Sequence, residues 1–333
     1  MRIVVPAGGT GGARFVRGLL AALADSSGTG APGEGWTVTV IGNTGDDLTM
    51  WGLRVCPDID TVLYTLGGGI DDERGWGRVG ETFTVKDELA EYDSLPTWFG
   101  LGDRDLATHL TRTALLADGA TLSEATAVLA ARWELPGRGV RLLPMSDQPV
   151  ETHVRLVPPG EDAPRLVHFQ EYWVRWRAEP AVEAVVSVGA EDAVPAPGVL
   201  EAITEADFIL LPPSNPVVSI GSVLAVPGIR TAIEESLAPV VGVSPIVGGQ
   251  VVRGMADKLL PAIGVDVSAA GVGLAYGPGL LDGWLMDTSD AADVDRVAAA
   301  GIACRAVPLM MTDVPATAEI ARQALALGEL VEQ

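Results

Sequence analysis

The feature that most constrains this chain is a glycine-rich turn, PAGGTGGARF at residues 6–15, placed directly after a short apolar strand at Ile3–Val5. Phe15, Leu19, Ala22 and Leu23 then recur at helical spacing, which predicts a helix leaving the turn. A small, polar, Gly- and Pro-containing stretch, Asp25–Gly35, reads as a loop, and Val38, Val40 and Ile41 form a second strand ending at Gly42–Asn43. Strand, glycine turn, helix and strand make a βαβ unit, which commits the chain to a parallel sheet covered by helices. The turn also puts backbone N–H groups and a helix N-terminus where phosphate is held in such folds.

The later sequence repeats that logic. Apolar runs at Val185–Val188, Phe208–Leu211, Val240–Val243, Val272–Ala275, Trp284–Met286 and Val307–Met310 read as buried parallel strands. Helical patterns lie between them at 229–237, 254–263, 291–300 and 315–327. The middle differs: residues 86–133 are helical in pattern, and 151–157 with 165–176 read as a β-hairpin around a Pro-Pro-Gly-Glu-Asp turn. Five of the eight tryptophans fall in this middle section, which suits a segment capping the sheet's carboxyl edge. The expected architecture is therefore α/β: a Rossmann-like, doubly wound, mostly parallel sheet from residues 1–70 and 180–333. An inserted, largely helical subdomain plus the hairpin, 71–179, covers the active-site edge.

Charge narrows the partners. The chain has 44 Asp+Glu against 22 Lys+Arg, a formal charge of −22, which argues against a nucleic-acid groove or an anionic membrane surface. A small anionic ligand remains compatible with local arginines, backbone N–H groups or a metal. No apolar run reaches about 18 residues, and the N-terminus lacks the long apolar region of a signal peptide. Cys56 and Cys304 make no disulfide framework. A soluble, cytoplasmic protein is expected.

Several motifs could carry chemistry. In the glycine turn, Gly9, Thr10, Gly11 and Gly12 would contact phosphate, with Arg14 adding charge; Arg14 occupies the third glycine's place of the dinucleotide fingerprint, and no Lys-Ser/Thr pair makes a P-loop. IGNTGDDL, residues 41–48, follows the second strand and brings Asn43, Asp46 and Asp47 to the same edge. Adjacent carboxylates there suit Mg²⁺, or one accepts a proton from a hydroxyl nucleophile; an Asx turn with a helix N-cap is the competing account. Asp58 and Asp60 flank the start of a further helix, where N-capping accounts for Asp58. GWGRVGETF brings Trp76 and Arg78 as aromatic and cationic contacts, and Ser214-Asn215 follows the strand at 208–211. Arg253 and Asp257 sit one helical turn apart, as ligand contacts or as an i, i+4 pair. His109, His153 and His168 are scattered without metal-ligand spacing. Carboxylates and glycine turns on one sheet edge point to phosphate chemistry assisted by Mg²⁺.

Taken in order, AGGTGGARF, GNTGDD, CPDIDTVLYTLGGGID with RGWG, WFGLGDRDLATHL, HFQEYWVR, PPSNPVVSIG, VRGMADK and VPLMMTD resemble the 2-phospho-L-lactate transferase family, whose bacterial branch is called phosphoenolpyruvate transferase and acts in biosynthesis of the deazaflavin coenzyme F-420. The likeness spans nearly the whole chain. It implies a guanosine diphosphate donor carrying lactate or enolpyruvate, an acceptor hydroxyl on the ribityl chain of the deazaflavin Fo, release of GMP, Mg²⁺ as cofactor and a homodimer. On that footing Asp46 or Asp47 holds Mg²⁺ while the other orients or deprotonates the hydroxyl. Gly9–Gly12 back the phosphates, Ser214 and Asn215 hold the guanosine side, and Arg78 faces the deazaflavin. The sequence departs from the pattern of some relatives at Val79, where they carry a basic residue. A nucleotide-sugar-binding regulatory protein of a related sister group is the alternative. A nicotinamide oxidoreductase fails at Arg14 and at Asn43, which replaces the ribose-binding acid.

Overall fold

The computed structural model describes residues 1–27, 35–93 and 95–331. Seven strands form one sheet, labelled here β1 (Arg2–Ala7), β2 (Thr37–Gly42), β3 (Val140–Pro144), β4 (Phe208–Leu211), β5 (Val240–Val243), β6 (Gly283–Met286) and β7 (Ala303–Ala306). They lie in the order β7-β6-β5-β4-β1-β2-β3, and each neighbouring pair is parallel. The chain runs outward from β1 to β3, then returns to β4 on β1's other side. This reversal creates a crevice at the carboxyl ends of β1 and β4, where ligands bind in open α/β sheets.

Both faces of the sheet are covered, which is why the inner strands β1, β4, β5 and β6 are buried along nearly their whole length. Ile3, Val5 and Val40 point into one core with Phe15, Val16 and Leu19 of helix α1 (Gly9–Ser27). Val4, Ile41, Ile209 and Leu211 point into the other. Phe15, Val16 and Leu19 are fully buried, each contributing roughly 1.5–3 kcal/mol of burial. The last helix, Val314–Val331, lies along α1. The expected loop at Asp25–Gly35 begins later than its composition suggests, because α1 continues to Ser27; residues 28–34 lie outside the described residues. No helix among the described residues is long and apolar enough to cross a membrane. Cys56 and Cys304 are both free thiols.

Four sequence readings are corrected. Val272–Ala275 is helical, within Ala269–Tyr276, where the Ser268 hydroxyl caps the helix by accepting the Gly271 N–H at 2.9 Å. That helix is apolar on nearly all sides, so it shows no helical period. Val185–Val188 belongs to Ala184–Val188, a half-exposed strand paired antiparallel to Glu151–Leu156 in a separate three-stranded sheet with Arg165–His168. Val307–Met310 lies beyond the end of β7: Pro308 carries no N–H for the ladder, and the Leu309 N–H donates to Asp287 at 2.8 Å. The hairpin's second strand stops at His168, and Glu171–Arg175 is one wide helical turn, held by Arg175 donating to Glu171 at 2.6 Å.

The span 71–179, expected as an insertion, contains β3. Val140–Pro144 pairs along β2 from Val38↔Val140 to Gly42↔Pro144, so the main sheet claims its own edge strand from the middle of the chain. α2 (Pro57–Gly67) precedes that span, and within it lie α3 (Thr84–Glu91), α4 (Asp105–Ala117) and α5 (Leu122–Arg132).

Candidate active site

α1 begins at Gly9, so the glycine turn is itself the first turn of the helix, and its unpaired N–H groups open onto the crevice. Two of its glycines are required by close approach. A Cβ on Gly8 would lie 2.5 Å from Asp58 Oδ2, and one on Gly11 would lie 2.6 Å from the Pro213 carbonyl after β4. Ser214 closes the same seam by donating its hydroxyl to the Gly8 carbonyl at 2.9 Å.

Two clefts open on this edge. The first, of about 350 Å³, is bounded by the glycine turn, Arg14, Asp46, Ser214, Asn215, Ser244 and the Leu309–Thr312 segment beyond β7. The second, of about 340 Å³, lies between α2, α4 and the chain around Trp76 and Phe99. Gly9, Thr10, Asp58, Trp173 and Arg253 border both. The site is thus two chambers meeting at one carboxylate, one arginine and the helix N-terminus.

Asp58 is the acid of this junction and Asp46, in the first chamber, stands beside it, at 6% and 3% exposure. Burial, and then the Asp58 charge, push the Asp46 carboxyl well above the usual carboxylate range. Burial pushes Asp58 up to about 6, against hydrogen bonds from the Asn43 side chain and the Gly9 N–H that favour its ionised form. Each acid is held by one amide. Asn43 Nδ2 donates to Asp58 Oδ2 at 2.8 Å, while its Oδ1 accepts the Gly45 N–H at 2.8 Å. Gln170 Nε2 donates to Asp46 Oδ2 at 2.9 Å. The other oxygen, Asp46 Oδ1, is buried without a hydrogen-bond partner. An orphaned carboxylate oxygen beside a second acid is the donor set that a hard cation such as Mg²⁺ takes.

Asp47 does not share the cleft with its neighbour. Its Oδ2 pairs with Arg54 at 3.1 Å, and it is fully buried behind the turn. Burial pushes its carboxyl up to about 7, with Arg54 the largest opposing influence.

The first chamber carries positive charge. Arg14 donates to the Asp72 carbonyl at 3.1 Å and Arg253 to the Arg74 carbonyl at 2.7 Å. Neither has a carboxylate partner among the ion pairs of the described residues. Burial, and then the Arg14 charge, lower the Arg253 guanidinium's hold on its proton. Two neighbouring arginines without counter-charge suit an anionic ligand.

The second chamber is aromatic above and polar below. Tyr64, Trp76, Phe99 and Trp173 line it. At its floor Arg112, fully buried, donates to Asp60 with both terminal nitrogens, one at 3.1 Å to Oδ2. His109 stands between Asp60 and Asp105, with Nδ1 3.5 Å from the first and Nε2 3.2 Å from the second. Tyr64 donates its hydroxyl to Asp105. Asp60, Asp105 and His109 are close enough to share a cation, but Arg112 already supplies Asp60 with its counter-charge, so this group is the chamber's own scaffold.

The residues expected from sequence therefore divide. Gly9, Thr10, Gly11, Arg14, Asp46, Ser214, Asn215 and Arg253 line the first chamber, and Asp60 and Trp76 line the second. Gly12 packs against Ser214, and Asn43 works from behind through Asp58. Arg78 lies off both walls, its guanidinium 5.0 Å from the Trp133 ring and donating to the Arg104 carbonyl at 3.1 Å. Asp257 faces a separate cavity beside Tyr172 and Lys258. Sequence reasoning passed over Asp58 and Gln170. A signal for Asp58 was present: Pro57 takes the first helical position, which makes Cys56 the N-cap and leaves the Asp58 carboxylate without a cap to form.

Fold and site define a doubly wound α/β protein with a two-chambered cleft, bordered by Arg14 and Arg253, at the sheet's switch point. The chain belongs to the family described as 2-phospho-L-lactate transferase CofD, whose family model matches residues 3–310. It is 62% identical over 331 residues to the phosphoenolpyruvate transferase of Kitasatospora aureofaciens, covering 99% of both chains. It is 62% identical over 333 residues to that of Streptomyces coelicolor, covering 100% of both. The Mycolicibacterium smegmatis phosphoenolpyruvate transferase is 49% identical over 332 residues, covering 98% of this chain and 99% of that one. Among solved structures, protein BH3568 from Bacillus halodurans matches with a TM-score of 0.61 at 19% identity, over 97% of this chain and 99% of that one, a likeness of fold.

Proposed function

We propose that the protein transfers a phosphoenolpyruvyl, or 2-phospho-L-lactyl, group from its guanosine diphosphate donor to the ribityl hydroxyl of the deazaflavin Fo. GMP leaves, and (dehydro) coenzyme F-420-0 forms. The observation that carries the reading is the shared border of the two chambers at Gly9, Thr10, Asp58, Trp173 and Arg253. A transferase must hold donor and acceptor at once, with the reacting atoms at the boundary.

The first chamber fits the donor. The N-terminal turn of α1, Arg14 and Arg253 back its phosphates, while Ser214 and Asn215 border the nucleoside side. The second chamber fits a planar acceptor between Tyr64, Trp76, Phe99 and Trp173. The acceptor hydroxyl oxygen bonds to the β-phosphorus, and the bond from that phosphorus to the bridging oxygen breaks. GMP departs with the electron pair, and the hydroxyl proton is given up. Asp58 borders both chambers and is the carboxylate placed to orient that hydroxyl and receive its proton. Asp46, through its unpartnered Oδ1, would hold Mg²⁺, which when bound neutralises charge on the phosphates. Arg14 and Arg253 add fixed positive charge beside the leaving phosphate. The names of the relatives favour the enolpyruvyl donor.

The test is a Mg²⁺-dependent assay with Fo and each donor, read by mass spectrometry. Dehydro coenzyme F-420-0 from the enolpyruvyl donor is the expected product. Product from the lactyl donor alone would reassign the donor. Absence of product from both, together with tight UDP-sugar binding, would replace the reading with that of a nucleotide-sugar-binding protein.

A further inference from the structure

A chain of hydrogen bonds links Asp46, through Gln170, to His168, which lines neither chamber. Gln170 donates to Asp46 Oδ2, and the other oxygen, Oδ1, is buried without a hydrogen-bond partner. Gln170 lies two residues past the strand Arg165–His168, at the point where the chain turns out of the small sheet. Its backbone N–H donates to His168 Nδ1 at 3.1 Å. On the far side of the same ring, Nε2 lies 3.2 Å from the Asp47 carbonyl oxygen. A carbonyl only accepts and the Gln170 N–H only donates, so the ring carries its proton on Nε2 and its lone pair on Nδ1.

The imidazole thus bridges two main-chain segments: the one bearing Gln170, and the turn after β2 that bears Asp46. His153 packs edge-on against it at 5.5 Å, but its own Nε2 is engaged by Glu151 at 3.1 Å, so it takes no part in the bridge. The small sheet is docked to the turn independently, through the Thr152 N–H donating to the Gly45 carbonyl at 2.6 Å. His168 is therefore not needed merely to bring the two segments together.

We infer that His168 is a positioning residue of the transferase site, a neutral imidazole clasp that sets Gln170 and thereby fixes which oxygen of Asp46 faces the donor chamber. The inference rests on the reading of Asp46 as the acid that meets Mg²⁺ and the donor phosphates. Outer partners of this kind typically change metal affinity or activity by about 10- to 100-fold. His168 and Gln170 act in series, so their effects must not multiply.

The test compares wild type with His168→Ala, Gln170→Ala, the double variant and His168→Asn. Mn²⁺ binding is followed by titration, and kcat and donor KM by assay, with thermal melting to confirm folding. Each single alanine variant should weaken Mn²⁺ binding and lower kcat by about tenfold or more, with donor KM changed less than about threefold. The double variant should be no worse than Gln170→Ala. His168→Asn should recover much of the loss, because its Oδ1 can accept the Gln170 N–H. Wild-type behaviour of His168→Ala, or losses that multiply in the double variant, would overturn the clasp. The Mn²⁺ titration needs neither substrate, so coupled Mn²⁺ losses in a protein that turns over neither donor would keep the clasp and reject the assigned reaction. Multiplying losses with turnover intact would do the reverse.

Discussion

The two chambers are built by different means. The first is a product of main-chain topology: the switch point between β1 and β4, a helix starting at Gly9, and glycines pressed against Pro213 and Asp58. The second is a product of side chains from α2, α4 and the chain between them, with aromatic walls over a self-contained Asp60–Arg112 and Asp105–His109 floor. The phosphate handling proposed for the first chamber would therefore be tied to the fold itself. The acceptor choice proposed for the second would rest on residues that can change without disturbing the sheet.

That contrast sets an order of expected effects. Asp46→Asn, beside the junction, should lower kcat by on the order of 10² to 10³-fold. It should also raise the melting temperature of the metal-free protein at pH 7.5. The sign follows from the direction of its shift: a carboxyl whose proton affinity is raised by folding favours the folded state at low pH, and that contribution is lost as pH climbs above 3.8. A neutral amide removes the loss, so the gain should vanish below about pH 4. A melting series from pH 4 to 8 reads it. Asp47→Asn, one residue on but facing Arg54, should change kcat less than about tenfold; equal losses in the two variants would erase the distinction drawn between them.

Gly11→Ala drives a Cβ against the Pro213 carbonyl. It should cost about 1–3 kcal/mol of stability and raise donor KM more than acceptor KM, by urea unfolding and steady-state kinetics. Trp76→Ala should do the opposite, raising acceptor KM by about tenfold, in line with roughly 0.5–1.5 kcal/mol for an aromatic contact beyond its buried area, with donor KM unchanged. Arg78→Ala should leave both KM values within about twofold, since its guanidinium rests on Trp133 rather than on a chamber wall. A large acceptor effect there would redraw the second chamber.

The legible parts of this molecule were those with a local signature. The glycine turn, β1, β2 and the order of β4, β5 and β6 follow from apolar runs and turn residues in sequence. β3 escaped because a five-residue strand between the helical pattern, which ends at 133, and the hairpin, which begins at 151, carries no signature of its own, and only its pairing with β2 gives it away. Ala269–Tyr276 escaped because a helix buried on all sides has no polar face to mark its period. In the site, Asp46 was found from its place after a strand, but Asp47 was given an equal role because adjacent acids look alike in sequence. The separation comes from Arg54, which a short antiparallel pair, Leu48–Met50 with Leu53–Val55, folds back onto Asp47. Gln170 stands 124 residues from the Asp46 it holds, and nothing local announces such a contact.

The paired arginines of the first chamber have a kinetic consequence. They are a small positive spot on a chain of formal charge −22, so an anionic donor meets repulsion at long range and attraction only at the mouth of the cleft. Screening shortens the reach of the first from about 30 Å at 0.01 M salt to about 8 Å at 0.15 M, while attraction at contact distance in the cleft is screened less. Capture of the donor should then speed up as salt is added over this range, the reverse of the usual behaviour of electrostatically guided encounters.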